Sequence, residues 1–356
     1  MTLAASRRAL LLGAPATLLA APAVAQAQQV RLTLPFVAQG ATAFAFVARE
    51  TGAFRRRGLE VEVALGTGSP VAAQAVSQGQ FDMGIVGASV LVQQVARGLN
   101  LVALGTTMYD TTFAIAVPAN SPIRTAADLV GKRVGANPRG ADFAFWPAWA
   151  RLAGLDVSRV NVTQLDPAVV ERTLAQGQVD AVTCVASSSL PTFQALNFPV
   201  RFIMWREAGL QFYHNTIVTR PEVLAQRAGM VEAVCDGLFE ALGLTLRDPE
   251  AALAAFIRQR PEIGISEGSR GSARMGQALL AVTSLVPEAM QHGLGHSDMA
   301  VVERMIGTVM EFSVPDGRRP VASELYTNRF AGKVKLSEAE WAEVRTRNAA
   351  VREALA

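Results

Sequence analysis

The sequence is poor in the residues that most often carry chemistry. Among 356 residues there are two cysteines, Cys184 and Cys235, and three histidines, His214, His292 and His296. The cysteines lack the spacing of a zinc site. In an oxidising compartment they could bridge, yet Cys184 lies in an apolar run where a small buried side chain is the plainer role. His292 and His296 have the spacing of a helical metal pair, but Gly293 and Gly295 between them oppose a regular helix, and Gly293 stands where a metalloprotease has glutamate. No metal ligand set is therefore assigned. Lysine is confined to Lys132, Lys333 and Lys335, and neither S-x-x-K nor a strand-following G-x-G-x-x-G occurs. With no nucleophile, base or metal cluster evident, no catalytic residue and no cofactor are assigned. A formal net charge of +3 is too weak a bias to point to nucleic acid. Beyond the N-terminal region no stretch approaches the ~20 apolar residues of a membrane-spanning helix.

Half of the residues are hydrophobic, enough for a sizeable core or two lobes. The first 27 residues read as an address. Ser6-Arg7-Arg8 precedes an apolar run from Ala9 to Ala21, and two overlapping A-x-A sites follow at 23–25 and 25–27. That is the pattern of a cleaved export signal with a twin-arginine start, although Leu11-Leu12 stands where a more polar residue is common. The run Arg55-Arg56-Arg57 reads either as an anion patch or as a solvated helix end.

One stretch occurs twice. Residues 75–89, AVSQGQFDMGIVGAS, align without a gap to residues 173–187, TLAQGQVDAVTCVAS. Each copy reads as a helix end, a turn at Gly79 or Gly177, a short buried strand, and small residues where the chain moves on. Ligands of open α/β sheets bind beyond the carboxyl ends of strands, so Ser89 and Ser187, with Gly87, Ala88 and Val185 beside them, are expected at two binding edges that face each other across a cleft. The alternating run 59–65 is the clearest strand and leads into Gly66-Thr67-Gly68-Ser69-Pro70. Ser69 is placed to cap a helix with Pro70 in its first turn. Such a turn either presents free backbone N–H groups to a ligand or is an ordinary strand–helix connection. A first strand is expected over 31–36, ending at Gln39-Gly40, and further strands over 101–105, 112–117 and 201–205. Helices are expected over 221–228, 230–246, 249–260, 269–291 and 298–312. A capping box at Ser337 opens a last helix over 338–355.

The segment Ser121-Pro122-Ile123-Arg124-Thr125, continuing through Asp128-Leu129 to Gly131-Lys132-Arg133-Val134-Gly135, resembles the entry to the second lobe of periplasmic solute-binding proteins. The group resembled serves nitrate, sulfonate, taurine and thiamine-pyrimidine-precursor transporters. Residues 46–63, FVARETGAFRRRGLEVEV, and the repeated Gln-Gly-Gln-x-Asp agree with it in order, so the resemblance covers residues 30–335. It implies an α/β, type-2 periplasmic binding fold: a first lobe over 28–115, a second over 116–215, and a return over 216–356 with a helical tail supporting the first lobe. Two crossing strands, near Phe113–Val117 and Phe212–Val218, would form the hinge. It further implies a small-molecule solute, a monomer, and an inner-membrane permease with its ATPase as partners.

On that reading the cleft residues are Phe36, Gln39, Thr67, Gly68, Ser69, Gly87, Ala88 and Ser89 from the first lobe. From the second come Asn137, Arg139, Ala141, Asp142, Trp146, Val185 and Ser187, with Tyr213 and His214 at the hinge. Arg139 reads as a partner for a carboxylate or sulfonate, or as an exposed loop arginine. The patch Phe143, Phe145, Trp146, Trp149 is either core or an apolar face toward the ligand. Pro147 makes its helix start late or kink. Many relatives carry Trp-Glu-Pro where this chain has Val185-Ala186-Ser187. The loss of an aromatic and a carboxylate there favours a neutral or anionic solute over an amine. An enzyme of the same fold that forms the thiamine pyrimidine uses a pyridoxal phosphate lysine and clustered cysteines, and this chain has no lysine before Lys132. A sensor subunit feeding a membrane kinase is the other reading. The leader predicts that the exported protein begins at Gln26 or Gln28, with arginine-to-lysine changes at Arg7 and Arg8 slowing export; N-terminal sequencing of the secreted form checks both.

Overall fold

The computed structural model describes residues 27–138 and 140–355. The expected leader and Arg139 therefore lie outside the described residues. Ten strands form: β1 (Gln28–Thr33), β2 (Leu59–Ala64), β3 (Met83–Gly87), β4 (Val102–Met108), β5 (Phe113–Pro118), β6 (Arg133–Ala136), β7 (Asn161–Gln164), β8 (Ala181–Val185), β9 (Val200–Met204) and β10 (Asn215–Thr219). They build two five-stranded sheets, β2-β1-β3-β10-β4 and β7-β6-β8-β5-β9. The orders are equivalent. In each sheet three parallel strands alternate with helices, and an antiparallel strand arrives from the other half: β10 pairs with β3 and β4, and β5 pairs with β8 and β9. The chain leaves the first sheet at Met108, enters the second at Phe113, and returns at Asn215.

The repeated stretch occupies equivalent places in the two sheets, and its identical residues make equivalent bonds. Gly79 and Gly177 both take positive φ, 79° and 68°, closing the preceding helix in the left-handed region that glycine adopts without penalty. Asp82 Oδ2 accepts the Arg31 N–H of β1 at 2.8 Å, and Asp180 Oδ2 accepts the Arg133 N–H of β6 at 2.8 Å. The guanidinium of each arginine turns back to the turn carbonyl, Gly79 or Gly177, at 3.2 Å in both copies. The flanking glutamines bond to each other across each turn. Gln-Gly-Gln-x-Asp is thus a clip between a turn and the neighbouring parallel strand.

Several boundaries differ from the sequence pattern. The first strand lies three residues earlier than expected, because Leu34 to Gln39 leave the sheet to form a loop. The long helix expected over 269–291 is two, Glu267–Thr283 and Pro287–His292, since Pro287 has no N–H and begins a new first turn. The last helix is likewise split, at Asn348, into Glu338–Arg347 and Ala349–Ala354, while its Ser337–Glu340 capping box forms as read. The Ala141–Leu152 helix runs through Pro147 and neither starts late nor breaks. Cys184 in β8 and Cys235 in the Ala228–Arg247 helix are both buried and free. Of the arginine run, Arg56 and Arg57 both pair with Glu240, which favours the helix-end reading.

The tail does more than support the first sheet. Leu279 and Leu355 are buried in the second sheet's core, with Leu190, Phe193 and Phe202. The Glu267–Thr283 helix also crosses the turn at Gly40, where a Cβ would stand 1.9 Å from the Ala273 carbonyl oxygen. Only glycine permits that approach. No helix among the described residues is long and apolar enough to cross a membrane.

The aromatic patch is core. Trp149 stacks on Trp205 with centroids 5.3 Å apart, Trp146 leans on both, and Phe145 meets Phe212 edge-on at 4.8 Å. Trp205 is fully buried and follows β9 directly. Trp205→Ala should cost about 3–5 kcal/mol of unfolding free energy, with Trp205→Phe losing less; urea denaturation followed by circular dichroism measures the difference.

Candidate ligand-binding cleft

Between the carboxyl edges of the two sheets lies a cavity of about 890 Å³. Its wall on the first-sheet side is the 35–42 loop and the starts of the Ser69–Ser77 and Ala88–Ala96 helices; on the second-sheet side it is Pro167, Val185, Ser187, Ser188, Pro191 and Thr192. The crossing segments form part of the wall through Met108, Thr111, Phe113, His214 and Asn215. The tail contributes Phe256 and Ile263 and, from one helix, Ser269, Ser272, Ala273, Gly276 and Leu279. These tail residues were not found from the sequence. Small residues at 269, 272, 273 and 276 do mark one helical face, which is the signal available.

The two crossing segments dock on the ends of the repeated stretches in matching ways. The Ala88 N–H donates to the His214 carbonyl at 2.8 Å, and the Ala186 N–H donates to the Thr112 carbonyl at 2.8 Å. Beside them the Gly87 N–H donates to Ser69 Oγ at 2.9 Å, and the Ser187 N–H donates to Thr112 Oγ1 at 3.1 Å. Of the donors that the two helix starts leave orphaned, those of Ala88, Ala186 and Ser187 are taken by a crossing segment, whereas that of Gly87 is taken by Ser69. Thr112 holds a φ of 53°, a costly conformation for a β-branched residue. It is kept there by its N–H bond to Asp110 Oδ1, and Asp110 Oδ2 is ion-paired with Arg206 at 2.8 Å. On the opposite side of the crossing, Tyr213 donates to Glu288 and accepts the Asp298 N–H, while Tyr109 accepts the Gly295 N–H.

The sequence-derived candidates divide accordingly. Phe36, Gln39, Gly68, Ser69, Gly87, Ser89, Val185, Ser187 and His214 line the cavity. Phe36 is 48 % exposed at its mouth. Ser69 and Ser89 are not helix caps: both lie inside their helices, whose N-caps are Gly68 and Gly87. Thr67 is exposed and outside the wall, Ala88 is fully buried behind it, and Asn137 and Ala141 flank the start of the Ala141–Leu152 helix. Three candidates point elsewhere, because each finds its partners in a core. Trp146 packs in the tryptophan cluster, Tyr213 faces the tail, and Asp142 is buried behind β8. Gly264 to Gly268 has the form G-x-S-x-G, but it follows a 3₁₀ turn and Ser266 caps the tail helix by accepting the Ser269 N–H. A hydrolase nucleophile would need a strand before it. The rings of His292 and His296 do come together, centroids 4.4 Å apart. Among the described residues no group of three or more metal-ligating side chains forms.

His214 is the one titratable side chain among the described residues of the wall. Burial lowers its pKa, and the Thr111 carbonyl and the Asp110 charge oppose that only in part. Its Nδ1 has no hydrogen-bond partner.

The chain belongs to the NMT1/THI5-like family, whose model matches residues 39–252. A protein of Brucella abortus named as a binding protein is 24 % identical over 273 residues, covering 74 % of this chain and 82 % of its own. Among solved structures, the periplasmic aliphatic sulphonate binding protein SsuA from Escherichia coli superposes with a TM-score of 0.63 at 20 % identity, covering 82 % of this chain and 95 % of its own. The desulfurization enzyme DSZB superposes with a TM-score of 0.54 at 16 % identity, covering 90 % and 99 %. The fold is therefore the two-sheet periplasmic binding fold, one that carries both binding proteins and an enzyme.

Asp142 supplies a test of the site's surroundings. Burial raises its carboxyl pKa and the nearby Glu171 charge adds to this, while Thr183 and the Asp142 and Phe143 N–H groups oppose it only in part. With its folded pKa above the unfolded one, the folded state holds more protons between the two values, so stability falls as pH rises through that window and stays lower above it. Asp142→Asn should raise the melting temperature at neutral pH and leave it nearly unchanged below the unfolded carboxylate pKa; calorimetry across pH decides.

Proposed function

We propose that the protein is the solute-binding receptor of an ATP-driven importer, capturing a small neutral or anionic solute with apolar or aromatic surface. The observation that carries this is the cavity itself, walled by both sheets and by the two segments that cross between them. Its size falls in the range of pockets that enclose small molecules. Lobes joined through two crossing segments and the tail can rotate about the crossings and close on a ligand. In this reading residues 28–115 and 216–356 form one lobe and residues 116–215 the other. The protein is exported by the twin-arginine route, acts as a monomer in the periplasm, and passes its solute to an inner-membrane permease with its ATPase. Family membership and the fold shared with SsuA support it, as do the neighbours' names.

The DSZB likeness motivates one alternative, an enzyme on the same fold. The described wall offers serines and one histidine but no cysteine, lysine or carboxylate, which favours binding over covalent chemistry. A thermal-shift screen of the mature chain against sulfonates, carboxylates, pyrimidines, their amides and nitrate tests the receptor reading. A ligand at ~100 times its dissociation constant adds roughly 2.7 kcal/mol, well above the detection limit. Stabilisation by one chemical class without turnover is the expected outcome; turnover of the bound compound would replace the receptor with an enzyme.

A further inference from the structure

The floor of the cleft holds polar side chains that the fold does not use. Asn215 is 5 % exposed, Ser89 5 % and Thr111 4 %, and all three lie in the cavity wall. None of these side chains has a hydrogen-bond partner among the described residues. Thr42 is as deeply buried in the same wall, yet its hydroxyl donates to the Gln39 carbonyl. The polar atoms of Asn215, Ser89 and Thr111 are not sealed off: the small surface that each residue keeps includes them, and it opens on the cavity. A buried amide or hydroxyl left without a partner is a cost to the fold and a resource for a solute.

Chain order brings the three together. Asn215 opens β10 and pairs with Gly87 at the end of β3 and with Met108 at the end of β4. Gly87 caps the Ala88–Ala96 helix, and Ser89 stands two residues on. Thr111 lies on the outgoing crossing, where its N–H donates to the Phe212 carbonyl of the returning one. The first-turn N–H groups of Ser89 and Val90 have no acceptor among the described residues either, so free backbone donors and free side chains meet at one helix start. The other two starts lack that combination. Ser69 Oγ is taken by the Gly87 N–H, and at the Ala186–Ala195 helix Ser187 is only half-buried and Ser188 exposed.

We infer that Asn215, with Ser89 and Thr111 beside it, determines which polar head the cleft accepts, and that this head carries acceptor oxygens: a carboxylate, a sulfonate or the carbonyl of an amide. The inference rests on the receptor reading and deepens it. An asparagine amide supplies two N–H donors and one acceptor, each hydroxyl supplies one donor, and the helix start adds its N–H groups. Donors outnumber acceptors, which suits oxygen atoms with or without formal charge. A head held at the junction directs the rest of the solute outward, toward Phe36 at the mouth.

The test titrates benzenesulfonate, benzoate and benzamide calorimetrically into the mature chain and its Asn215→Leu and Asn215→Asp variants. It also records the melting temperature of each chain without added compound. Leucine is close to asparagine in shape and forms no hydrogen bond. Asn215→Leu should weaken each probe that binds the wild-type chain by about tenfold or more, the anions most, because hydrogen bonds to charged acceptors are the stronger ones. Asn215→Asp separates a contact from a structural part. A carboxylate beside an anionic head should cost the two anions about a hundredfold or more, while benzamide, whose NH₂ can turn to it, should stay within about tenfold of wild type. Since the amide bonds to no described residue, Asn215→Leu without added compound should melt at or above the wild-type temperature. Binding that Asn215→Leu leaves intact overturns the inference and leaves the receptor standing, as does an equal loss of all three probes in Asn215→Asp. Turnover of a bound probe removes the receptor reading and leaves Asn215 as a contact. A lower melting temperature in Asn215→Leu assigns the amide to the fold and overturns the inference in every case. Where none of the three probes binds the wild-type chain, an equal or higher one supports it.

Discussion

The structure depends on two hydrogen bonds of one kind. Each sheet ends in a helix whose first N–H is held by a carbonyl on the segment crossing from the other half: Ala88 to His214, Ala186 to Thr112. Because the crossing strands enter antiparallel, the end of each repeated stretch abuts the chain that leaves for the opposite sheet. The cleft is the space left above those two junctions. Its crossing-segment floor follows from this arrangement.

The same arrangement explains where strain is held. Thr112 sits in the left-handed region between Asp110 and β5, with both its carbonyl and its hydroxyl engaged by the Ala186–Ala195 helix. Thr112 thereby ties the first crossing to the helix start that lines the cleft. On the far side, Tyr109 and Tyr213, edge to face at 5.6 Å, are tied to the tail between Glu288 and Asp298. The tail therefore contacts both crossings as well as both cores. It is part of the machinery of the cleft rather than a buttress for one lobe.

The two repeats also show how one local pattern can serve two ends. Within each copy the residues shared by both, Gln-Gly-Gln-x-Asp, clip a turn to a parallel strand and touch no ligand space. The closing Ala-Ser then delivers a buried alanine that anchors the crossing and a serine in the cavity wall. Structural and binding roles alternate along a few residues because strand ends in an open α/β sheet are the places where backbone order stops and a ligand edge begins.

Much was legible from sequence alone. The two repeated strands, the strand over 59–65, the turn glycines 79 and 177 and the capping box at Ser337 are local patterns, and local hydrogen bonding or alternation decides them. Of the cleft candidates at strand ends and helix starts, Gly68, Ser69, Gly87, Ser89, Val185 and Ser187 fall in the cavity wall, because that rule needs only chain order, while Thr67, Ala88 and Asp142 at like positions do not. What tertiary structure alone decided is which way a side chain turns when two burials compete. Trp146, Asp142 and Tyr213 are equally plausible facing a cleft or a core, and only the packing of Trp205, β8 and the tail directs them inward. The tail's share of the wall belongs to the same category. A helix of small residues has no reason in its own sequence to cover a cleft more than two hundred residues away; the approach of Ala273 and Gly276 to Gly40 places it there.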